Sequence, residues 1–318
     1  MIRRVLIDSK NQERRAPRFS PYIVGVALIS AAAVLWSLNG ALIKIVNQKG
    51  AGPDGLTIAF YRSAFAGLFL LPFAFGKFQT LRESTINEHQ SSNFASVILC
   101  VICFALMTTT FVVANTKTAA ANVIILQYTS TFWVFGLSPV FLGERASRRD
   151  SWILLLAMAG IAVIFAGNAQ TDGAGLAIAL AAGLFYGLLT MILRKVRNCD
   201  SAALTVANNF GTSVLLLPAV LAVGTLLLPW RTVCLLVFMG AVQFGLPYYF
   251  FSLGLQRVPA YRAALITMAE PILVPVWTYL AVKEPVPPAT ILGGTVILLA
   301  LALFLLMRGG SSCAHGKE

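Results

Sequence analysis

Ten apolar stretches of membrane-crossing length dominate this sequence and constrain its fold more than any other feature. They fall at residues 22–46, 56–75, 94–114, 118–142, 151–167, 174–194, 202–222, 231–252, 259–282 and 289–307. A helix that crosses the hydrocarbon core needs about 20 predominantly apolar residues. Ten of them use most of a 318-residue chain, and little remains for a soluble domain. Only 11% of the residues are charged and the mean hydropathy is +0.80, whereas a soluble domain carries roughly 25% charged residues. The expectation is an all-α membrane protein, one polytopic unit of ten transmembrane helices without a separate catalytic domain.

The stretches divide into two sets of five. The first half covers 22–167 and the second 174–307, flanked by a basic N-terminal segment, 1–21, and a short tail, 308–318. Asn168-Ala169-Gln170-Thr171-Asp172-Gly173 reads as a turn-rich link between them. Each half places a glutamate, Glu144 or Glu284, just after its fourth stretch. Five is odd, so the second half must enter the membrane from the opposite side, as an inverted repeat. Shared letters are few. A shift of 140 residues aligns Glu144 with Glu284, Ala120 with Ala260 and Val134 with Val274. Leu56-Thr57 and Leu70-Leu71-Pro72 echo Leu204-Thr205 and Leu216-Leu217-Pro218. Inverted repeats of this kind point to a solute-carrying protein with its site near midplane, between the halves.

Charge placement sets the orientation. The net charge of +12 would suit a nucleic-acid binder, but the basic residues lie where they direct topology. With the N-terminus in the cytoplasm, seventeen lysines and arginines fall inside and four outside, and Lys44, Arg62 and Arg262 fall within stretches. That bias puts both termini in the cytoplasm of a cell (plasma or inner) membrane and leaves no nucleic-acid partner. Residues 1–20 are too polar for a signal-peptide core, and no cleavage is expected. The five cysteines form no framework. Cys100 and Cys103 lie inside an apolar stretch as packing residues, and Cys199 and Cys313 face the reducing cytoplasm.

The motifs resemble those of the drug/metabolite transporter superfamily, EamA-type. Phe141-Leu142-Gly143-Glu144-Arg145, Ala281-Val282-Lys283-Glu284-Pro285, Glu270-Pro271 and the Arg62 to Leu70-Leu71-Pro72 run carry the resemblance, which covers about Tyr22 to Met307. It implies two five-helix halves around a central cavity, alternating access, and movement of small metabolites such as amino acids, drugs or nucleosides. The chain departs from the family pattern in one place: Ser130-Thr131 stands where many members repeat the Glu-Pro of the ninth stretch.

Glu270 is the sharpest site candidate, the sole acidic residue inside any of the ten stretches. A charge at midplane costs about 2.5–3.5 kcal/mol on insertion scales and must face a partner or water. Its functional role would be a cavity carboxylate that carries a proton or binds a cation; its structural role would be an ion pair. Pro271 and Pro275 should kink its helix by removing backbone donors. Arg62 is too deep to snorkel, and must pair, with Glu270 as one partner, or bind an anion. Lys44 and Arg262 should reach the interfaces. Trp36, Asn39, Gln127, Tyr128, Tyr186, Asn208, Asn209 and Gln243 supply polar and aromatic groups near midplane, either as ligand contacts or as interhelical glue. Together they suit a zwitterionic or heteroaromatic solute. Gly183 and Gly187 should admit a neighbouring backbone. Glu144 and Glu284 read as structural charges beside helix N-termini.

The leading expectation is a secondary transporter, an exporter by family resemblance, with no cofactor or metal. An integral-membrane enzyme is disfavoured: His89 and His315 lie outside the stretches, and no HExxH, GxSxG or GxxxxGK[ST] sequence occurs. A non-transporting assembly protein is the third reading.

Overall fold

The computed structural model describes residues 21–47, 50–75, 91–141, 148–196, 200–258, 263 and 266–314. Among them every regular element is helical: α1 (Pro21–Ser37), α2 (Asn39–Asn47), α3 (Gly55–Ala74), α4 (Ser91–Lys117), α5 (Ala120–Tyr128), α6 (Ser130–Phe141), α7 (Arg148–Lys195), α8 (Ser201–Val223), α9 (Trp230–Phe238), a π-helical stretch Met239–Gly245, α10 (Leu246–Leu255), α11 (Ala269–Val282) and α12 (Pro288–Ala314). Among the described residues six helical runs are long and apolar enough to cross a membrane: Pro21–Asn47, Gly55–Ala74, Phe94–Lys117, Gly173–Leu193, Ala202–Val223 and Trp230–Leu255. Leu155–Gly167, Ala269–Val282 and Pro288–Leu303 are shorter apolar helices. Large apolar side chains such as Leu68, Leu155, Ile272, Leu292 and Leu299 face outward, a perimeter suited to lipid rather than water.

The sequence dictates where helices begin. Asp54 accepts from the backbone N–H groups of Leu56 and Thr57 and so caps α3. Asp200 does the same for α8 through Ala202 and Ala203. These are the second helices of the two halves, and each starts where a polar link meets an apolar run.

Contacts between corresponding helices show that the halves run in opposite senses. Gly67 packs on Phe210 while Gly224, at the far end of α8, packs on Thr57, so α3 and α8 are antiparallel. Ala120 meets Glu284 while Tyr128 meets Glu270, so α5 and α11 are antiparallel too. Two further pairings correspond under exchange of the halves: α4 packs on the C-terminal arm of α7, and α10 packs on α1.

Helix α7 corrects one sequence expectation. The 168–173 link, expected as a turn, retains helical backbone. The chain nevertheless reverses there. Gly160 packs on Gly293 and Gly167 on Ala289, descending along α12, whereas Gly175, Gly183 and Gly187 meet Thr118, Thr129 and Trp133 in ascending order. Helix α12 runs parallel to α5, because Asn122 bonds Thr290 and Ile125 packs on Gly294. A straight helix would separate Gly160 from Gly183 by about 34 Å at 1.5 Å per residue, which these shared neighbours forbid.

The small residues sit where backbones cross. A β-carbon on Gly183 would lie 2.5 Å from the Leu126 carbonyl oxygen, and one on Gly293 2.5 Å from that of Gly160. Cys100 and Cys103 are buried in an apolar cluster with Phe104, Met107 and Leu189. The stretches expected at 22–46 and 118–142 are each interrupted, at Leu38 and at Thr129. The basic residues of 1–20, most of the 76–93 link, Glu144, Cys199, Arg262 and His89 lie outside the described residues, as does His315.

Candidate functional site

Irregular backbone recurs inside the bundle. Helices α1 and α2 part at Leu38, α5 and α6 at Thr129, and α11 starts after a turn at Met268. The π-helical stretch Met239–Gly245 faces the first of these breaks: Gln243 Nε2 donates to the Trp36 carbonyl at 3.5 Å. At membrane depth such backbone survives only inside protein or beside a cavity, and discontinuous helices supply the sites of many carriers.

Glu270 occupies the first turn of α11 and is half-buried. Its Oε2 lies 3.0 Å from the Tyr128 hydroxyl, which also stands 2.7 Å from the Thr267 carbonyl oxygen. Thr267 precedes Pro271 by four residues, so the regular helical donor to its carbonyl does not exist; the phenol of the other half donates to it. The phenol has one proton and two acceptors. When it donates to Thr267, Glu270 completes the second bond by donating its own proton. Tyr186 is 39% exposed yet lies within electrostatic reach of Glu270. Tyr248 is within such reach of Arg62, Glu270 and Tyr186 alike.

Arg62 is fully buried, at 1% exposure, and does not pair with Glu270. Its Nη1 donates to Asn39 Oδ1 at 2.7 Å and its Nη2 to Thr108 Oγ1 at 3.4 Å, while the guanidinium carbon sits 4.2 Å above the Phe244 ring. Aromatic residues adjoin this group: Trp36 meets Tyr248 edge-on at 5.2 Å and Phe251 at 5.4 Å, and Phe104 lies 6.3 Å from Tyr248.

The structure therefore gathers Trp36, Asn39, Arg62 and Gln243 on one flank and Tyr128, Tyr186 and Glu270 on the other, with Tyr248 in electrostatic reach of both charges. Gln127 and Asn209 stand apart from these bonds. Gln127 Nε2 donates to Met107 Sδ at 3.5 Å, and Asn209 Nδ2 donates within its own helix to the Thr205 carbonyl at 2.8 Å. Sequence reasoning missed Tyr248, Thr108 and Phe244. Tyr248 sits in the run Leu246-Pro247-Tyr248-Tyr249-Phe250-Phe251, where Tyr249 carries the same hydroxyl and nothing local singles Tyr248 out.

Lys44 and Glu284 also depart from expectation. Lys44 does not snorkel alone: its Nζ pairs with Glu284 Oε2 at 2.7 Å and donates to the Thr118 carbonyl at 2.8 Å. Glu284 Oε1 accepts from the Ala120 N–H at 2.8 Å. The glutamate thus caps α5 of the opposite half rather than the helix that follows it. No cluster of three or more His, Cys, Asp or Glu side chains suited to a metal occurs among the described residues.

An all-helical bundle with an apolar perimeter, interrupted helices and a carboxylate beside the breaks at Thr129 and Met268 fits a multi-pass membrane protein of the transporter class. The chain belongs to the EamA-like transporter family, whose model matches residues 23–166 and again 173–306. An uncharacterized transporter of Archaeoglobus fulgidus is 25% identical over 281 residues, covering 88% of this chain and 95% of that protein. The uncharacterized transporter YwfM of Bacillus subtilis is 26% identical over 246 residues, covering 72% and 83%. A solved crystal structure shares the fold at a TM-score of 0.58 and 17% identity, over 92% of this chain and 97% of that one.

Proposed function

We propose that this protein is a secondary transporter that exports a small amphipathic metabolite across the cell membrane by alternating access, with Glu270 as its proton-carrying group. The observation that carries the reading is the contact of Glu270 with Tyr128: the acidic residue within an apolar stretch of one half bonded to the other half at 3.0 Å, beside the breaks at Thr129 and Met268. Rocking of one half against the other must remake that contact, which links a proton on Glu270 to the conformation. In this reading the chain crosses the membrane ten times with both termini in the cytoplasm, in two repeats, 22–167 and 174–307. The solute touches Trp36, Asn39, Arg62, Gln127, Tyr128, Tyr186, Asn209, Gln243 and Glu270. Two halves that differ at the aligned pair, Glu270 in one and Ser130 in the other, give a single titrating site rather than two.

A thermal-shift screen of metabolites on the purified protein identifies the solute, and flux of that hit in proteoliposomes tests the mechanism. Glu270→Gln is expected to abolish pH-gradient-driven flux while the protein stays folded. Full gradient-coupled flux in that variant would refute the role of Glu270. Product formation without any gradient would instead support an enzyme.

A further inference from the structure

The charge on Arg62 is unbalanced by any described residue. Its side chain is fully buried, yet the ion pair among the described residues joins Lys44 to Glu284, not Arg62 to a carboxylate. A guanidinium has five N–H donors and stays charged. Asn39 Oδ1 takes Nη1 at 2.7 Å, the Nη2 contact to Thr108 is long at 3.4 Å, and Nε has no partner. A neutral amide, a hydroxyl and a ring face soften a buried cation without neutralising it, and an unpaired buried charge is strongly disfavoured.

The poorly used edge has a specific shape. Nε and Nη2 point the same way and form the side-on fork that donates to both oxygens of a carboxylate. Asn39 engages the remaining nitrogen, so it holds the group in place without blocking the fork. Gln243 Oε1, on the residue before Phe244, is also buried and without a partner. Trp36, Tyr248, Phe251, Phe104 and Phe244 provide ring surface around this flank.

We propose that Arg62 is the receptor for the anionic group of the bound solute, a monocarboxylate carried on an aromatic or apolar body. This rests on the reading of the chain as a solute carrier. The fork is closed off in this conformation, and the two backbone irregularities beside it, the break at Leu38 and the π-helical stretch holding Phe244, are where access opens.

Binding to the full-length protein in lipid nanodiscs, with no gradient applied, tests the assignment. The probes are benzoate, its neutral isostere benzamide, benzylammonium and chloride, read by calorimetry and by thermal unfolding. Benzoate is expected to bind about tenfold or more tighter than benzamide, the scale of one charge-assisted bidentate contact. Arg62→Lys keeps the charge but loses the fork, and is expected to lose most of that preference; Arg62→Gln is expected to lose all of it. If neither variant folds, the wild-type comparison decides alone. Equal binding of benzoate and benzamide, or preference for benzylammonium, overturns the proposal. Stabilisation by chloride without binding of benzoate assigns the site to an inorganic anion and overturns it as well. Flux measured separately keeps the two readings distinct: an intact benzoate preference in a protein that moves no solute refutes transport and leaves the anion site standing.

Discussion

A single phenol proton divides two functions at Tyr128. Its hydroxyl serves the carbonyl that Pro271 cannot serve and the carboxylate that follows it in the next position but two. An ionised Glu270 draws the proton by a charge-assisted bond, and a neutral Glu270 returns it to Thr267. Tyr128→Phe keeps the ring and removes only this choice. It is expected to cost roughly 1 kcal/mol of stability, the typical net worth of one hydrogen bond. A double-mutant cycle with Glu270→Gln is expected to show a coupling of about 0.5–1.5 kcal/mol, as for groups in contact. Additive effects would show that the 3.0 Å contact carries no energy. Glu270 and the donor missing at Pro271 were legible in the sequence, because a charge within an apolar stretch and an absent N–H are local facts. Tyr128 as the donor was not: the sequence marks it as polar but says nothing of a carbonyl 139 residues away.

Breaks and caps set the elements. Apolar length located most helices, since hydrophobicity follows burial in lipid. The interruptions at Leu38 and Thr129 have no proline or glycine at the break itself, so no local signal marks them. Glu284 illustrates the same limit. Its position after the fourth helix of its half suggested a cap for the next helix, yet the left-handed turn at Lys283, φ 56°, aims it at α5. A carboxylate there does two jobs: it pairs with a partly exposed Lys44 and it caps Ala120. The charge part is worth about 1 kcal/mol or less at such exposure, and a cap roughly 1. Glu284→Gln keeps an oxygen for the cap, whereas Glu284→Ala loses both. Thermal unfolding is expected to place the alanine variant about 1 kcal/mol below the glutamine variant, and equal losses would mean that the cap contributes nothing.

The whole molecule rests on opposed directions. Helix α5 begins beside Glu284 and ends beside Glu270, so the fourth helices of the two halves point opposite ways. Their C-terminal ends, near Phe141 and Val282, therefore lie at opposite faces of the bundle. Two parallel repeats would instead place both ends on one face. The sequence already required this through the odd number of stretches per half, while the sparse shared letters left it untested. In the proposed orientation the first of these ends, which the basic residues Arg145, Arg148 and Arg149 follow, is the cytoplasmic one. Epitope tags inserted after Gly143 and after Lys283, probed in intact cells and then in permeabilised ones, are expected to react from opposite sides. The tag after Lys283 should be accessible in intact cells, and the tag after Gly143 only once the membrane is opened. Both tags reacting from one side would refute the inverted arrangement. Opposite reactivity in the reversed sense would keep the inversion and refute the cytoplasmic placement of the termini.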